Sequence, residues 1–144
     1  MLNASKNDYD WLGNGMYFWE NNQQRALNFA TDLKDNPSNK SVIQRSAVIG
    51  AIIDMGVCLD LTDASGIKLV LESYETLRST CKFLGLEMPA NKGTHFSNDL
   101  LLRNLDCAVI ENLHIQRAKN NLRPFDSVKR CFCRGQPTIP KCGV

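Results

Sequence analysis

The segment that decides the fold lies at residues 10–20 and reads DWLGNGMYFWE. It places four large aromatic side chains around the Gly13-x-Gly15 turn, and two glycines one residue apart permit positive φ and a close approach of the backbone. The short run at residues 16–19 predicts a strand. Two interpretations stay open: a hairpin with one hydrophobic face, or a wall of rings that stacks on a flat heteroaromatic ligand, with backbone amides beside it.

The composition around this segment is that of an ordinary globular protein. The chain has 144 residues, 43% of them hydrophobic and 22% charged, which predicts one domain over residues 1–144 and excludes a disordered chain. The net charge of +2 is too small for a nucleic-acid or membrane partner, and no apolar run is long enough to cross a bilayer. Because no signal peptide is visible, we expect a cytoplasmic protein whose six cysteines stay reduced.

Hydrophobic periodicity and capping residues predict an α+β domain with three main helices. The first helix follows Asn21 or Asn22 and ends before Pro37, with an apolar face. The second is capped by Thr62 or Asp63 and ends at Gly85. The remaining predicted elements are a buried strand at 46–55, its continuation or a second strand at 57–61, a loop at 86–98, a third helix at about 98–119 and a strand within 125–133. The predicted order is β-α-β-(β)-α-α-β.

A thiolate metal site has a weak basis in the sequence. Cys131, Cys133 and Cys142 could join His95 or His114, but this spacing fits no usual zinc pattern, and core or edge thiols are the better interpretation. We therefore expect no metal. The two histidines are interpreted as surface residues, with His95 a weaker candidate for the rim of a site.

Three acidic residues lie near the ends of a predicted strand segment, namely Asp54, Asp60 and Asp63. Such a position sometimes binds metal, but the DLTD run from Asp60 also suits a strand end followed by a helix cap. We favour the structural interpretation. The common nucleotide-hydrolase, serine-hydrolase and zinc-protease motifs are absent from the sequence.

The segment at 13–18, GNGMYF, followed by the Arg25-Ala26 and Phe29-Ala30 pairs, resembles the second conserved block of ADP-ribosyltransferase-fold proteins, G-x-G-x-Y-F and then a helix with small residues. More narrowly, it resembles a bacterial, toxin-like group with that fold. The segments at 58–63, 91–93, 105–110 and 125–128 are similar to the same group, so the resemblance covers nearly the whole chain. It implies a mixed, split β-sheet with three main helices.

The resemblance also implies NAD as the substrate, with transfer of ADP-ribose and release of nicotinamide. In that family the tyrosine of the second block stacks on nicotinamide, and this role transfers to Tyr17. Gly13 and Gly15 would form the turn beneath it, with Trp11 and Trp19 around it. A late glutamate of the family stabilises the oxocarbenium-like transition state electrostatically.

The chain departs from the family pattern in ways that predict impaired activity. The strand that carries the family's first histidine is not found, and Arg134 and Gln136 stand where the family has acids. We therefore leave the catalytic residues unassigned and expect a domain that lacks a terminal strand at each end. The alternative is a non-catalytic interaction module, a remnant of that fold. Expected partners are NAD, a protein acceptor or antitoxin, and a second copy bound through an open sheet edge.

Overall fold

The computed structural model describes residues 4–35, 42–94 and 97–131, and the chain divides into two compact units. The smaller unit is Met16–Asp54, and the larger unit consists of the residues before and after it. In the described residues the elements follow the order α1 (Gln23–Asp35), β1 (Cys58–Asp60), α2 (Ala64–Leu84), β2 (Lys92–Thr94), β3 (Ser97–Leu102), α3 (Asn104–Lys119) and β4 (Ser127–Lys129). A mixture of helices and small sheets is compatible with the predicted α+β class. The specific ADP-ribosyltransferase fold and the single domain over 1–144 stay predictions.

The core of the larger unit lies between α2, α3 and β1. Its buried apolar members are Leu59, Val70, Val109, Ile110 and Leu113. Four of them lie on α2 and α3, and Leu59 is the central residue of β1; partly buried apolar side chains, among them Leu71 and Leu105, pack against this cluster. Removing these side chains from water is the main stabilising contribution to this unit.

The described strands form two separate pairs. β1 and β4 are parallel, with Leu59 opposite Val128, and β2 and β3 are antiparallel with an irregular register. The residues that immediately precede β1 and β4 bond to each other: the Asp126 amide donates to the carbonyl of Val57 over 2.9 Å, and the Val57 amide donates to the Asp126 carboxylate over 2.8 Å. This second bond is the main cause of the lowered pKa of Asp126, with Arg123 adding to it.

Helix α2 begins and ends as its sequence predicts. The Asp63 carboxylate accepts a hydrogen bond from the Ser65 amide over 2.9 Å, and Gly85 follows the helix in the left-handed conformation, at φ 65°. Near the start of the helix, Gly66 packs on the backbone of β1. A Cβ on Gly66 would lie 2.0 Å from the Asp60 carbonyl oxygen, so glycine sets how closely α2 approaches β1.

The smaller unit contains α1 and a long irregular segment. The Asn22 side chain accepts a hydrogen bond from the Arg25 amide over 3.0 Å, which confirms the predicted cap. None of the residues in α1 is buried, so its apolar face has no core beneath it in this unit. Residues 42–54 contain neither helix nor strand.

Several predicted boundaries were wrong. Residues 16–19 form no strand, and the predicted buried strand at 46–55 is irregular and largely exposed, because an apolar run becomes a strand only where a neighbouring strand pairs with its backbone. The predicted loop at 86–98 contains β2 and the start of β3, and α3 begins at Asn104 because β3 occupies Ser97–Leu102. The order in the described residues is therefore α-β-α-β-β-α-β. No helix in this part of the chain has the length and apolar character of a membrane span.

Candidate functional site

The candidate site is built on a closed loop at residues 5–15, which we call the N-terminal loop. Its two ends are joined by a pair of backbone hydrogen bonds, from the Ser5 amide to the Gly15 carbonyl over 2.7 Å and from the Gly15 amide to the Ser5 carbonyl over 3.1 Å. Inside the loop, the Asn7 amide donates to the Asp10 carboxylate over 2.9 Å. The loop thus closes on itself and presents its Gly13-Asn14-Gly15 turn next to α3.

Gly13 is the tightest point of this turn. It is buried, its φ is +81°, and a Cβ built on it would lie 2.6 Å from Glu111 Oε1 and 3.0 Å from Ile110 Cγ2. A residue with a side chain would be strained by the φ angle and crowded by α3. Gly15 differs, because a Cβ there would meet no atom within 4 Å. The first glycine of the motif is thus required by packing, whereas the second is not.

Glu111, which lies on α3, holds the turn in place. Its Oε1 atom accepts a hydrogen bond from the Asn14 amide over 2.7 Å, a contact between residues 97 apart in the chain. A carboxylate acceptor makes this bond stronger than one between neutral groups. In the sequence, Glu111 is notable only as a neighbour of His114. The signal that could have found it is its spacing from Arg103 and Cys107, because residues four apart share one face of a helix.

Trp11 covers a buried ion pair. The Arg103 guanidinium lies 5.1 Å from the centre of the Trp11 ring, and its Nη1 atom lies 3.6 Å from Asp106 Oδ2. Arg103 and Asp106 are 1% and 0% exposed, and among the described residues the Nε and Nη1 atoms of Arg103 have no hydrogen-bond partner. The Arg103 amide also donates to the Tyr9 carbonyl over 3.3 Å. The Trp11 ring therefore packs against α3 and helps enclose a charge, in a cation–π contact.

Asn91 caps α3 from outside the helix. Its Oδ1 atom accepts hydrogen bonds from the amides of Leu105 and Asp106 over 2.9 and 3.3 Å, and its Nδ2 atom donates to Asp106 Oδ1 over 2.9 Å. Arg103, the residue that precedes the helix, supplies no side-chain cap. One amide side chain thus satisfies two helix amides and a buried carboxylate, which orients the end of α3 that carries Arg103.

Cys107 lies on α3 and is buried next to the N-terminal loop. Its thiol lies 3.6 Å from the Asn7 carbonyl oxygen, and burial together with the charge of Glu111 raises its pKa to about 11. Because the thiolate is the nucleophilic form, the raised pKa predicts low reactivity of Cys107 at neutral pH. Cys58, Cys81 and Cys131 are also free thiols, whereas Cys133 and Cys142 lie outside the described residues.

The aromatic residues that follow the turn belong to the smaller unit. Tyr17 and Phe18 are 48% and 52% exposed. Trp19 is half-buried, with its ring centre 6.2 Å from that of Phe29 and 5.3 Å from the Arg25 guanidinium. Of the three, Tyr17 and Phe18 present the most ring surface to a ligand, while Trp19 packs on α1. Tyr17 and Phe18 are therefore the more exposed rings of this run, whereas Trp19 packs on Phe29 and Arg25 of α1.

The other candidate residues have structural roles or lie outside the described part. Asp60 accepts from both the hydroxyl and the amide of Thr62, over 2.6 and 2.8 Å, which lowers the pKa of the carboxyl. The ring of His114 packs edge-on against Phe125, with centres 6.0 Å apart, whereas His95 lies outside the described residues. Within residues 4–35, 42–94 and 97–131, no group of three or more His, Cys, Asp or Glu side chains could hold a metal ion.

Comparison with known proteins identified no relative of this chain. No protein-family model, no curated protein sequence and no solved structure matches this chain.

Proposed function

We propose that the chain is a NAD-binding protein of the ADP-ribosyltransferase type that transfers ADP-ribose from NAD, with impaired activity. The observation that carries this proposal is the Gly13–Gly15 turn. In the family that the sequence resembles, a glycine turn precedes the tyrosine that stacks on nicotinamide. Here Gly13 is held at φ +81° against α3, and Glu111 accepts the amide of the next residue. The positive φ at Gly13 is a conformation that favours glycine, which supports the proposal.

Tyr17 is proposed to stack on the nicotinamide ring, and its exposure of 48% supports that role. Stacking between an aromatic side chain and a flat heterocycle contributes about 1–3 kcal/mol. Gly13 and Gly15 are assigned to the turn that precedes Tyr17. Trp19 is assigned to holding the segment that carries Tyr17 against α1. Trp11 is assigned to the support of the turn, since its ring packs on Arg103.

The proposed reaction breaks the bond between nicotinamide and C1′ of its ribose. Nicotinamide leaves as a neutral molecule with the bonding electron pair, and the ribose passes through an oxocarbenium-like state. A hydroxyl, amine or thiol of the acceptor, or water, then bonds to C1′ and releases a proton. An anionic group near C1′ would stabilise the positive charge. Arg134 and Gln136, at the positions where the family has acids, cannot do so, and for this reason we expect slow transfer.

The test compares variants of two adjacent and equally exposed rings. NAD binding is measured by calorimetry, and nicotinamide release by chromatography, for the wild-type chain, Tyr17→Ala, Tyr17→Phe and the matched control Phe18→Ala. We expect Tyr17→Ala to weaken NAD binding about 5- to 150-fold, the equivalent of stacking, with Tyr17→Phe and Phe18→Ala near the wild type. If wild-type chain binds no NAD, or Phe18→Ala weakens binding as much as Tyr17→Ala, the proposal is wrong.

A second candidate function is a non-catalytic interaction module. The observation that favours it is the exposure of apolar side chains in the smaller unit, among them Ile49 and Ile52 at 71% and 105%. Exposed apolar surface of this kind is typical of protein-binding sites. NAD binding without any release of nicotinamide above that of Tyr17→Ala would favour this candidate over the enzyme.

A further inference from the structure

Basic residues are concentrated in one short stretch of the larger unit, residues 117–130, which we call the basic segment. Of the 17 basic and 15 acidic residues in the chain, this segment contains five and one, and the other 130 residues contain 12 and 14. The basic members are Arg117, Lys119, Arg123, Lys129 and Arg130. The net charge of +2 therefore combines +4 on this segment with −2 on the rest of the chain, so it does not by itself exclude an anionic partner.

The first three basic residues belong to one turn, where the chain reverses direction after α3. The Leu122 amide donates to the Arg117 carbonyl over 2.8 Å, and the Arg117 side chain crosses the turn so that its Nε atom donates to the Arg123 carbonyl, also over 2.8 Å. Lys119 lies between these two arginines as the last residue of α3. Three cationic side chains thus share one turn, and positions 112–125 contain no acidic residue.

Arg117 is held in place by an aromatic ring. Its guanidinium carbon lies 4.0 Å from the centre of the Phe125 ring in a cation–π contact, and Phe125 packs against the core of the larger unit. Neither this contact nor the bond from Nε uses the two terminal nitrogens, which carry four of the five N–H donors of the group. A side chain that is already ordered loses less conformational entropy when it binds a ligand, so Arg117 is well prepared for an anion.

The turn keeps a surplus of positive charge. Asp126 is the one acidic residue of the basic segment, and its carboxylate accepts from Arg123 Nη2 over 2.9 Å and from the Val57 amide over 2.8 Å. Arg123 nevertheless exposes 68% of its side chain, and Lys119 is exposed as well. Three cations and one carboxylate leave two positive charges in excess, which produces a local potential that attracts anions.

The residue types of the basic segment favour the phosphate groups of a nucleic-acid duplex. Most of its cations are arginines, whose forked donors match phosphate oxygens. Phe125, its one aromatic residue, packs on Arg117 and on the core, and so does not offer the stacking platform of a single-strand binding site. Within the segment only Leu122 is a largely exposed apolar side chain, whereas a membrane site needs a continuous apolar face.

We propose that the basic segment binds the sugar–phosphate backbone of a nucleic-acid duplex, with Arg117, Lys119 and Arg123 in contact with phosphate oxygens. Lys129 and Arg130 add to the positive potential. Binding is independent of base sequence, because phosphate contacts carry no sequence information. All of these residues belong to the larger unit, whereas the tyrosine proposed to stack on nicotinamide belongs to the smaller unit, so this proposal does not rest on NAD binding.

The first test is the salt dependence of binding to a fluorescent DNA duplex of mixed sequence, measured by anisotropy. Each phosphate contact contributes about −0.9 to the slope of log K against log salt concentration, so three to five contacts predict a slope of about −2.7 to −4.5. Binding should then weaken about 40- to 500-fold between about 50 and 200 mM salt. A slope shallower than about −2, or no binding by about 100 μM chain at about 50 mM salt, would overturn the proposal.

The second test removes two charges from the turn and, in a matched control, two charges from α2. Lys119→Gln/Arg123→Gln is compared with Lys82→Gln/Arg78→Gln. Each pair consists of a lysine in the last turn of a helix and an exposed arginine that pairs with a carboxylate three residues away. Circular dichroism and urea unfolding verify that both variants fold. At about 100 mM salt the first variant should bind the duplex about 30- to 100-fold more weakly, with a slope shallower by about 2, while the control stays within about twofold of wild type.

Competition separates the duplex from other anionic partners. The competitors are unlabelled duplex, polyglutamate, and phosphatidylcholine vesicles that contain about 30% phosphatidylserine, compared at equal anionic charge. We expect unlabelled duplex to displace the probe well before the other two. Vesicles that compete as well as the duplex would assign the surface to a membrane, and polyglutamate that does so would assign it to an acidic protein; either result would overturn the proposal. A turn variant that binds the duplex as tightly as the α2 control would place the contact on another surface.

Discussion

Replacement of Gly13 by alanine should destabilise the larger unit far more than the same change at Gly15. At φ +81°, a Cβ at residue 13 costs about 1–2 kcal/mol in backbone strain. The same Cβ lies 2.6 Å from Glu111 Oε1, so the carboxylate must move and lose its bond to the Asn14 amide. Because Asn14 is exposed, water replaces part of that bond, and its loss adds about 1 kcal/mol. We expect Gly13→Ala to lower the free energy of unfolding by about 2–3 kcal/mol.

The assay is urea unfolding followed by tryptophan fluorescence and circular dichroism. With a slope of about 1–3 kcal/mol per molar urea, the midpoint should fall by about 0.7–3 M for Gly13→Ala. Gly15→Ala, where a Cβ meets nothing within 4 Å, should stay within about 0.5 kcal/mol of wild type. In a Glu111→Ala background the cost of Gly13→Ala should shrink by about 1 kcal/mol, since the displaced bond is already gone. Equal costs for the two glycine substitutions would refute this account of the turn.

Three further predictions concern the contacts around α3 and between the strands. Asn91→Ala removes the cap of α3 and the amide partner of the buried Asp106 carboxylate, so unfolding experiments should show a loss of about 2–4 kcal/mol. Folding lowers the pKa of Asp126, so the stabilising effect of its carboxylate is complete above about pH 4 and is lost as the pH falls through the lower pKa of the folded state. Asp126→Asn should therefore reduce the loss of unfolding free energy on the acid side of a plot of stability against pH. An unchanged plot would contradict this account. Iodoacetamide at about pH 8 should alkylate the exposed Cys131 well before Cys107, whose pKa is about 11, as mass spectrometry of the peptides would show.

The elements that depend on local chemistry could be predicted from the sequence. The body of α2, its start at Asp63 and its end at Gly85 follow from an apolar stripe, an aspartate that bonds its own helix and a glycine in the left-handed conformation. The inward positions Val109 and Leu113 of α3 follow from the same period. Each of these signals involves residues within a few positions of one another, so the sequence contains the whole interaction.

The strands were predicted less well because a strand needs a partner that the sequence does not name. The run at 46–55 has the composition of a buried strand, yet it is neither paired nor buried among the described residues. In contrast, the segment at residues 92–94, whose sequence gives only a weak strand signal, forms β2 because β3 pairs with it. Composition reports how well a segment would pair, whereas pairing itself depends on residues far away in the chain.

At the candidate site, the sequence alone determined the Gly13-x-Gly15 turn, because two closely spaced glycines among bulky residues indicate a backbone that other residues avoid. Only the tertiary structure showed that Gly13 carries the constraint while Gly15 does not, since the difference arises from Glu111 and Ile110 on α3. It likewise decided that Trp11 encloses the buried Arg103 while Tyr17 stays exposed. Local sequence sets which conformations are allowed, whereas contacts between distant residues decide which side chains are enclosed and which remain exposed.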